Sequence, residues 1–109
     1  MTTIDSSTMT VRELKTRLDK NDGLLLLDVR EPLEYRICNI GGKLLPLGEL
    51  PARLDELDPG EEIAVICHHG RRSNMAVEFL RRSGFQSVRN VAGGIDAWAK
   101  EIDPSLPRY

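Results

Sequence analysis

The residues with the greatest chemical reach lie in one heptapeptide, Cys67-His68-His69-Gly70-Arg71-Arg72-Ser73, which holds one of the two cysteines and both histidines of the chain. A thiol is a poor nucleophile until it loses its proton, and that loss is favoured by positive potential and N–H donors near the sulfur. Gly70 allows a sharp turn, Arg71 and Arg72 supply two cations, and the next residues read as a helix, whose first N–H groups have no partner of their own. The pattern predicts a loop curled around Cys67 that holds a thiolate and equally suits an oxyanion or a persulfide on that cysteine. The plain alternative is a small buried residue at a strand end, as most intracellular cysteines are. The glycine, the arginines and the helix start crowded beside Cys67 argue against it.

Such a loop must be held by its neighbours. Ile63-Ala64-Val65-Ile66-Cys67 reads as a buried strand, and Ser73–Arg82 as a helix with Met75, Ala76, Phe79 and Leu80 at helical spacing and Gly84 just beyond its end. Ligands of open α/β sheets bind beyond the carboxyl ends of strands, where the heptapeptide falls. Leu24–Val29 is a second apolar run of the kind buried on both faces. Thr10 and Glu13 form a capping-box pattern ahead of a helix from Val11 to about Lys20. Leu50, Leu54 and Leu57 mark a further helical stripe ending before Asp58-Pro59-Gly60, while Glu31 to Pro46 has no clear period. Val88–Val91 reads as a short strand, Gly93-Gly94 as a turn and Ile95–Ile102 as a last helix before a tail with Pro104 and Pro107. This alternation predicts an α/β sandwich around a mostly parallel sheet, with strand order left open.

Composition narrows the class. With 109 residues, 40% hydrophobic and 29% charged, the chain reads as one globular domain over residues 1–109, large enough to need no disulfides. Its apolar runs, such as Leu24–Leu27, are far too short for a bilayer, and the first residues lack a basic segment followed by an apolar one. A cytoplasmic protein with reduced thiols is expected, with no membrane partner. Residues 1–70 carry thirteen acidic and eight basic side chains, residues 71–109 four and seven, so the C-terminal part should attract anions. The excess is too small for a nucleic-acid partner.

Three motifs in order carry a family resemblance. Asp28-Val29-Arg30-Glu31 after a buried strand, the C-x-x-G-x-R-S pattern of Cys67, Gly70, Arg72 and Ser73, and Gly93-Gly94-Ile95-Asp96-Ala97-Trp98 resemble the rhodanese domain of sulfurtransferases from Thr10 to Trp98. The resemblance implies a rhodanese-like three-layer sandwich with five strands, and a ping-pong reaction that needs neither cofactor nor metal. Cys67 would take a sulfane sulfur from a small anion such as thiosulfate, or from a persulfide protein, and pass it to a nucleophile. A cysteine phosphatase or arsenate reductase of the same fold is the enzymatic rival. The resemblance implies a seven-residue Cys-to-Arg loop for that rival, whereas Cys67 to Arg72 spans six. A partner-binding or sulfur-delivery module with little turnover is the non-enzymatic one. Leu45–Leu50 and Asp103–Tyr109 are further similar to the rhodanese module of ubiquitin-activating-like adenylyltransferases, which implies a sulfur-carrier protein as a possible acceptor.

Roles follow from the motif positions. Arg72 is expected to order the loop by pairing with Asp28 or Glu31, with Arg30 in the same supporting segment, and Arg71 to face substrate. His68 and His69 read as shapers of the local potential rather than bases or metal ligands, because adjacent loop residues face different ways and a loop-held thiolate needs no base. Cys38 stands where the family usually has Gly-His-Ile-Pro-Gly-Ala, in Cys38-Asn39-Ile40-Gly41-Gly42-Lys43. It reads as a packing residue, with a resolving thiol for Cys67 as the alternative. Trp98, Phe79 and Phe85 read as core, and Glu34, Arg36 and the acidic run Asp55–Glu62 as solvated faces.

Overall fold

A computed structural model of the chain describes residues 7–109. The N-terminal stretch read as lacking a leader pattern falls partly in residues 1–6, outside the described residues. Thr8–Met9 (β1) leads to Thr10, whose Oγ1 accepts the Glu13 N–H at 3.1 Å while Glu13 reaches back to the Thr10 N–H. The capping box therefore starts Val11–Lys20 (α1) where expected, and Asn21 ends it in the left-handed conformation. Leu25–Asp28 (β2), Pro32–Ile37 (α2) and Lys43–Leu44 (β3) come next, then Ile63–Ile66 (β4), Arg71–Arg82 (α3), Val88–Val91 (β5) and Gly94–Glu101 (α4).

Among the described residues all four strand pairings are parallel, and the order β1-β5-β4-β2-β3 puts β4 between β5 and β2. Alternate residues face opposite sides. Leu27, Val65, Ile63 and Val88 pack with Ala76, Val77 and Leu80 of α3, while Leu26, Ala64, Ile66 and Val91 pack with Leu14 of α1 and Ile95 and Trp98 of α4. These two cores make the helix, sheet and helix layers. Among the described residues no helix is long and apolar enough to cross a membrane.

Three expectations need correction. No helix runs through Leu50, Leu54 and Leu57. Two 3-10 turns, Leu47–Glu49 and Leu54–Glu56, bring Leu50 and Leu57 into the core instead. Pro51 lacks the N–H that a helix would direct at Leu47, and Arg53 holds the two turns by pairing with Glu49 and Glu56. The stretch from Glu31 to Pro46 contains α2 and β3, both invisible to periodicity because α2 buries no residue and β3 has two. β1, also two residues, escaped for the same reason.

β2 and β4 end side by side, with Asp28 opposite Ile66 and the Val29 N–H donating to Ile66 O at 3.1 Å. From there the chain departs in opposite directions, toward β3 and toward β5, which opens a crevice at the carboxyl edge. One side of it is built on a fully buried ion pair. Arg30 donates to Asp28 through Nε at 3.0 Å and Nη2 at 2.8 Å, and its remaining donors reach Cys38 O, Glu34 O and Tyr109 Oη. Burial by itself would lower the Arg30 pKa, but the bonds with Asp28 and Tyr109 prevail and hold it above its ordinary value. Asp28→Ala leaves that guanidinium buried without its counter-charge and should cost about 3–5 kcal/mol in urea unfolding, against less than about 1 kcal/mol for a surface control such as Asp19→Ala.

Candidate active site

Cys67 follows β4 directly and is buried at the floor of an opening lined by His68, His69, Arg71, Arg72 and Met75. Gly70, at φ 108°, caps α3 in the left-handed region, and its N–H turns back to Cys67 Sγ at 3.0 Å. Ser73, wholly buried, lies with Oγ 3.2 Å from the same sulfur. The N–H groups of Arg71, Arg72 and Ser73 belong to the first turn of α3, where no helical carbonyl can pair with them. Because Gly70 serves as the cap, α3 begins at Arg71, two residues before the expected Ser73.

The outer side of the loop is pinned from α4. Ile95 and Asp96 donate their N–H groups to Cys67 O and His68 O at 2.9 and 3.0 Å. Gly94 approaches so closely that a Cβ there would overlap both carbonyls, and its φ of 58° is left-handed as well. With the carbonyls drawn outward, the loop presents donors to the sulfur.

Arg72 does not pair with Asp28 or Glu31. Asp28 is taken by Arg30, and Glu31 is an exposed residue at the start of α2 whose N–H is capped by Glu34. The partner is Glu34, read from the sequence as a solvated face. Its two carboxylate oxygens accept Arg72 Nη1 and Nη2 at 2.6 and 2.9 Å, and Tyr109 Oη donates to Oε2 at 2.8 Å. The Arg72 fork holds the Glu34 carboxyl well below its ordinary value, at about 2, while burial opposes the shift. Tyr109 also stacks flat on His68, ring centres 4.0 Å apart, and burial pushes its phenol up to about 12. A carboxylate on α2 and a tyrosine in the tail carry no periodic signal; only the likeness of the tail to a family module pointed toward Tyr109.

The two histidines do not face different ways. Their rings stack at 3.9 Å, and burial, followed by the neighbouring imidazole of His69, pushes the His68 pKa down and favours its neutral form. His68, His69 and Asp96 bring donor atoms within 4.8 Å of one another, but the Asp96 carboxylate is already shared by Lys100 at 3.1 Å and Arg108 at 3.0 Å. Met75, expected in the core stripe, is exposed at the rim. Cys38 is buried in the core on the other face of the sheet from Cys67, and both thiols are free. Trp98 and Phe85 are core as expected, with Phe79 packed partly buried against it. A roomier apolar depression bounded by Pro51, Leu54, Leu57 and Phe85 lies toward the far end of α3 and holds neither cysteine nor histidine.

A family model described as "Rhodanese-like domain" matches residues 10–101. A Bacillus subtilis (strain 168) protein named "Putative sulfur carrier protein YrkF" is 41% identical over 96 residues, covering 87% of this chain and 52% of that protein. The "Adenylyltransferase and sulfurtransferase MOCS3" of Arabidopsis thaliana is 33% identical over 120 residues, covering 94% of this chain and 26% of that protein. The chain thus spans about half the length of the first relative and about a quarter of the second. The solved structure of human single domain sulfurtransferase TSTD1 matches with a TM-score of 0.78 at 25% identity, over 87% of this chain and 96% of that one. The expected likeness to adenylyltransferase modules is borne out among these relatives.

The Glu34–Arg72 pair generates a pH test. A carboxyl depressed on folding contributes stability that is complete above its ordinary value of 4.5 and is lost as pH falls toward 2. Glu34→Gln should therefore be less stable than the parent by about 1 kcal/mol at pH 7, a figure kept small because Arg72 is one-third exposed. The difference should close as the medium approaches pH 2. Urea melts across that range check it, and a gap independent of pH would contradict it.

Proposed function

The chain belongs to the family of rhodanese-like domains, and from that premise we propose that it is a sulfurtransferase in which Cys67 carries the sulfur as a persulfide. The observation that carries this reading is the sulfur environment: Cys67 Sγ at the floor of an opening, with the Gly70 N–H at 3.0 Å, the Ser73 hydroxyl at 3.2 Å and the first turn of α3 above it.

In the first half-reaction the Cys67 thiolate attacks the sulfane sulfur of thiosulfate. A new sulfur–sulfur bond forms as the old one breaks, and sulfite leaves with the electron pair. A persulfide protein would donate in the same way, its thiolate being the leaving group. The terminal sulfur of the product is anionic, and the first-turn N–H groups of α3 and the Arg71 guanidinium suit that charge. In the second half-reaction a nucleophilic acceptor attacks the terminal sulfur, and Cys67 departs as a thiolate. The transfer is balanced without an external oxidant or reductant, and it requires no general base once the thiol is ionised. Cys67 is the nucleophile, Gly70 and Ser73 are donors to its sulfur, Arg71 recruits the anion, and His68 and His69 form a stacked wall with Tyr109. Asp28, Arg30 and Glu34 hold the frame, Glu34 through Arg72.

A phosphatase would need a free guanidinium fork for a phosphoryl group, and here the Arg72 fork is occupied by Glu34. The relatives named as a sulfur carrier and as an adenylyltransferase and sulfurtransferase support a sulfur-carrier protein as acceptor. Two unpaired cysteines suit the reducing cytoplasm, where we place the protein, and we read residues 1–109 as one rhodanese domain.

Mass spectrometry after incubation with thiosulfate should show the gain of one sulfur atom, removed by cyanide and absent in Cys67→Ser. A parent protein that takes up no sulfur overturns the enzymatic reading in favour of a binding module. Arg71→Ala should raise the KM for thiosulfate by roughly three- to tenfold with kcat little changed, and an unchanged KM would remove Arg71 from substrate recruitment.

A further inference from the structure

Ser73 has one hydroxyl proton and two neighbours that can accept it. Its Oγ lies 3.2 Å from Cys67 Sγ and 2.5 Å from Oδ1 of Asn90, a residue of β5, the strand beside β4. The Asn90 amide has only one workable orientation. Its Nδ2 donates to Gly70 O at 3.1 Å, and the reversed amide would set two carbonyl oxygens against each other there. Oδ1 is thus left facing Ser73. Since the Gly70 N–H donates to Cys67 Sγ, the four residues close a ring of polar contacts around the sulfur.

The ring is self-consistent when Cys67 is a neutral thiol: S–H donates to Ser73 Oγ, O–H to Asn90 Oδ1, and Nδ2 to Gly70 O. A thiolate can only accept. Ser73 must then turn its proton to the sulfur, and Asn90 Oδ1 is left against a hydroxyl lone pair. Once sulfur is loaded, the charge sits on the terminal atom, Sγ becomes a bridging sulfur of little accepting power, and the proton can return to Asn90. We propose that Asn90 is a positioning residue that competes with Cys67 for the Ser73 proton and so favours the sulfur-loaded cysteine over the bare thiolate.

The charged and titratable groups around Cys67 come from its own loop and from the elements packed beside it. Arg71, Arg72, His68 and His69 belong to its own loop and the start of α3, Glu34 of α2 stands behind Arg72, and Asp96 of α4 lies beside His69. Asp28 of β2 is neutralised by Arg30, and Arg89, next to Asn90, is turned toward Glu13 and Glu62. A substitution at Asn90 alters none of these charges. The loaded-state consequence rests on the persulfide reading above, whereas the proton competition can be tested without it.

The test is the rate of Cys67 alkylation by iodoacetamide as a function of pH, read on the Cys67 peptide by mass spectrometry so that Cys38 does not contribute. Asn90→Ala should move the profile to lower pH, with alkylation near pH 6 roughly three- to tenfold faster than in the parent. Asn90→Asp, which keeps an acceptor and adds a charge, should move it to higher pH. In a Ser73→Ala background, Asn90→Ala should have no effect. An unmoved profile in Asn90→Ala, a shift of the same sign in the alanine and aspartate variants, or a shift that persists without Ser73 would each overturn the proposal. Sulfur uptake from thiosulfate, measured on the same samples, separates this outcome from failure of the sulfurtransferase reading.

Discussion

Two backbone hydrogen bonds hold the arrangement together: the Ile95 and Asp96 N–H groups at the start of α4 take the carbonyls of Cys67 and His68. A loop of consecutive peptide groups cannot turn its N–H groups toward one point unless its carbonyls find partners on the outside. The glycine pair supplies that partner surface, since Gly94 alone permits α4 to begin in contact with the loop. Gly70 then turns inward as the cap of α3, and the sulfur ends up among donors. The parallel sheet matters because it places the end of β4, the end of β5 and the start of two helices at one edge.

A second tier of contacts keeps that edge from spreading. The buried Asp28–Arg30 pair anchors the segment after β2, and Arg30 extends it to Cys38 O and to the Tyr109 hydroxyl. Tyr109 passes the connection to Glu34, and Glu34 to Arg72 on α3. Five side chains from three stretches of chain thus link the two walls of the crevice through hydrogen-bonded charge. Removing any one leaves a neighbour with an unmet partner in a partly dry setting, where an unpaired polar group is costly. The proposed competition between Asn90 and Cys67 for the Ser73 proton belongs to the inner side of the loop.

Much of this was legible beforehand because the relevant signals are local. Thr10 and Glu13 lie within one helical turn, so their capping box can be read directly, and the runs at Leu25–Asp28 and Ile63–Ile66 are apolar because both faces are covered. The heptapeptide is contiguous, so its thiol, glycine and arginines were visible together. What could not be read has no local signature. α2 buries nothing, β1 and β3 have two residues each, and Pro51 divides a leucine stripe that otherwise scans as helix. Glu34, Asn90 and Tyr109 reach the loop from 38, 17 and 75 residues away along their respective contacts with Arg72, Ser73 and Glu34.

The sequence by itself determined the elements with a local signature (α1, β2, β4, α3, β5 and α4), the mostly parallel α/β class and the six-residue loop from Cys67 to Arg72, because each depends on residue types a few positions apart. Only the tertiary structure decided the partners: which carboxylate takes Arg72, which amide meets Ser73, that His68 and His69 stack, and that Cys38 lies across the sheet from Cys67. A side chain's hydrogen-bonding capacity is written in its chemistry. The group that meets it is set by strand order and helix packing, which bring distant stretches of chain to the same edge of the sheet.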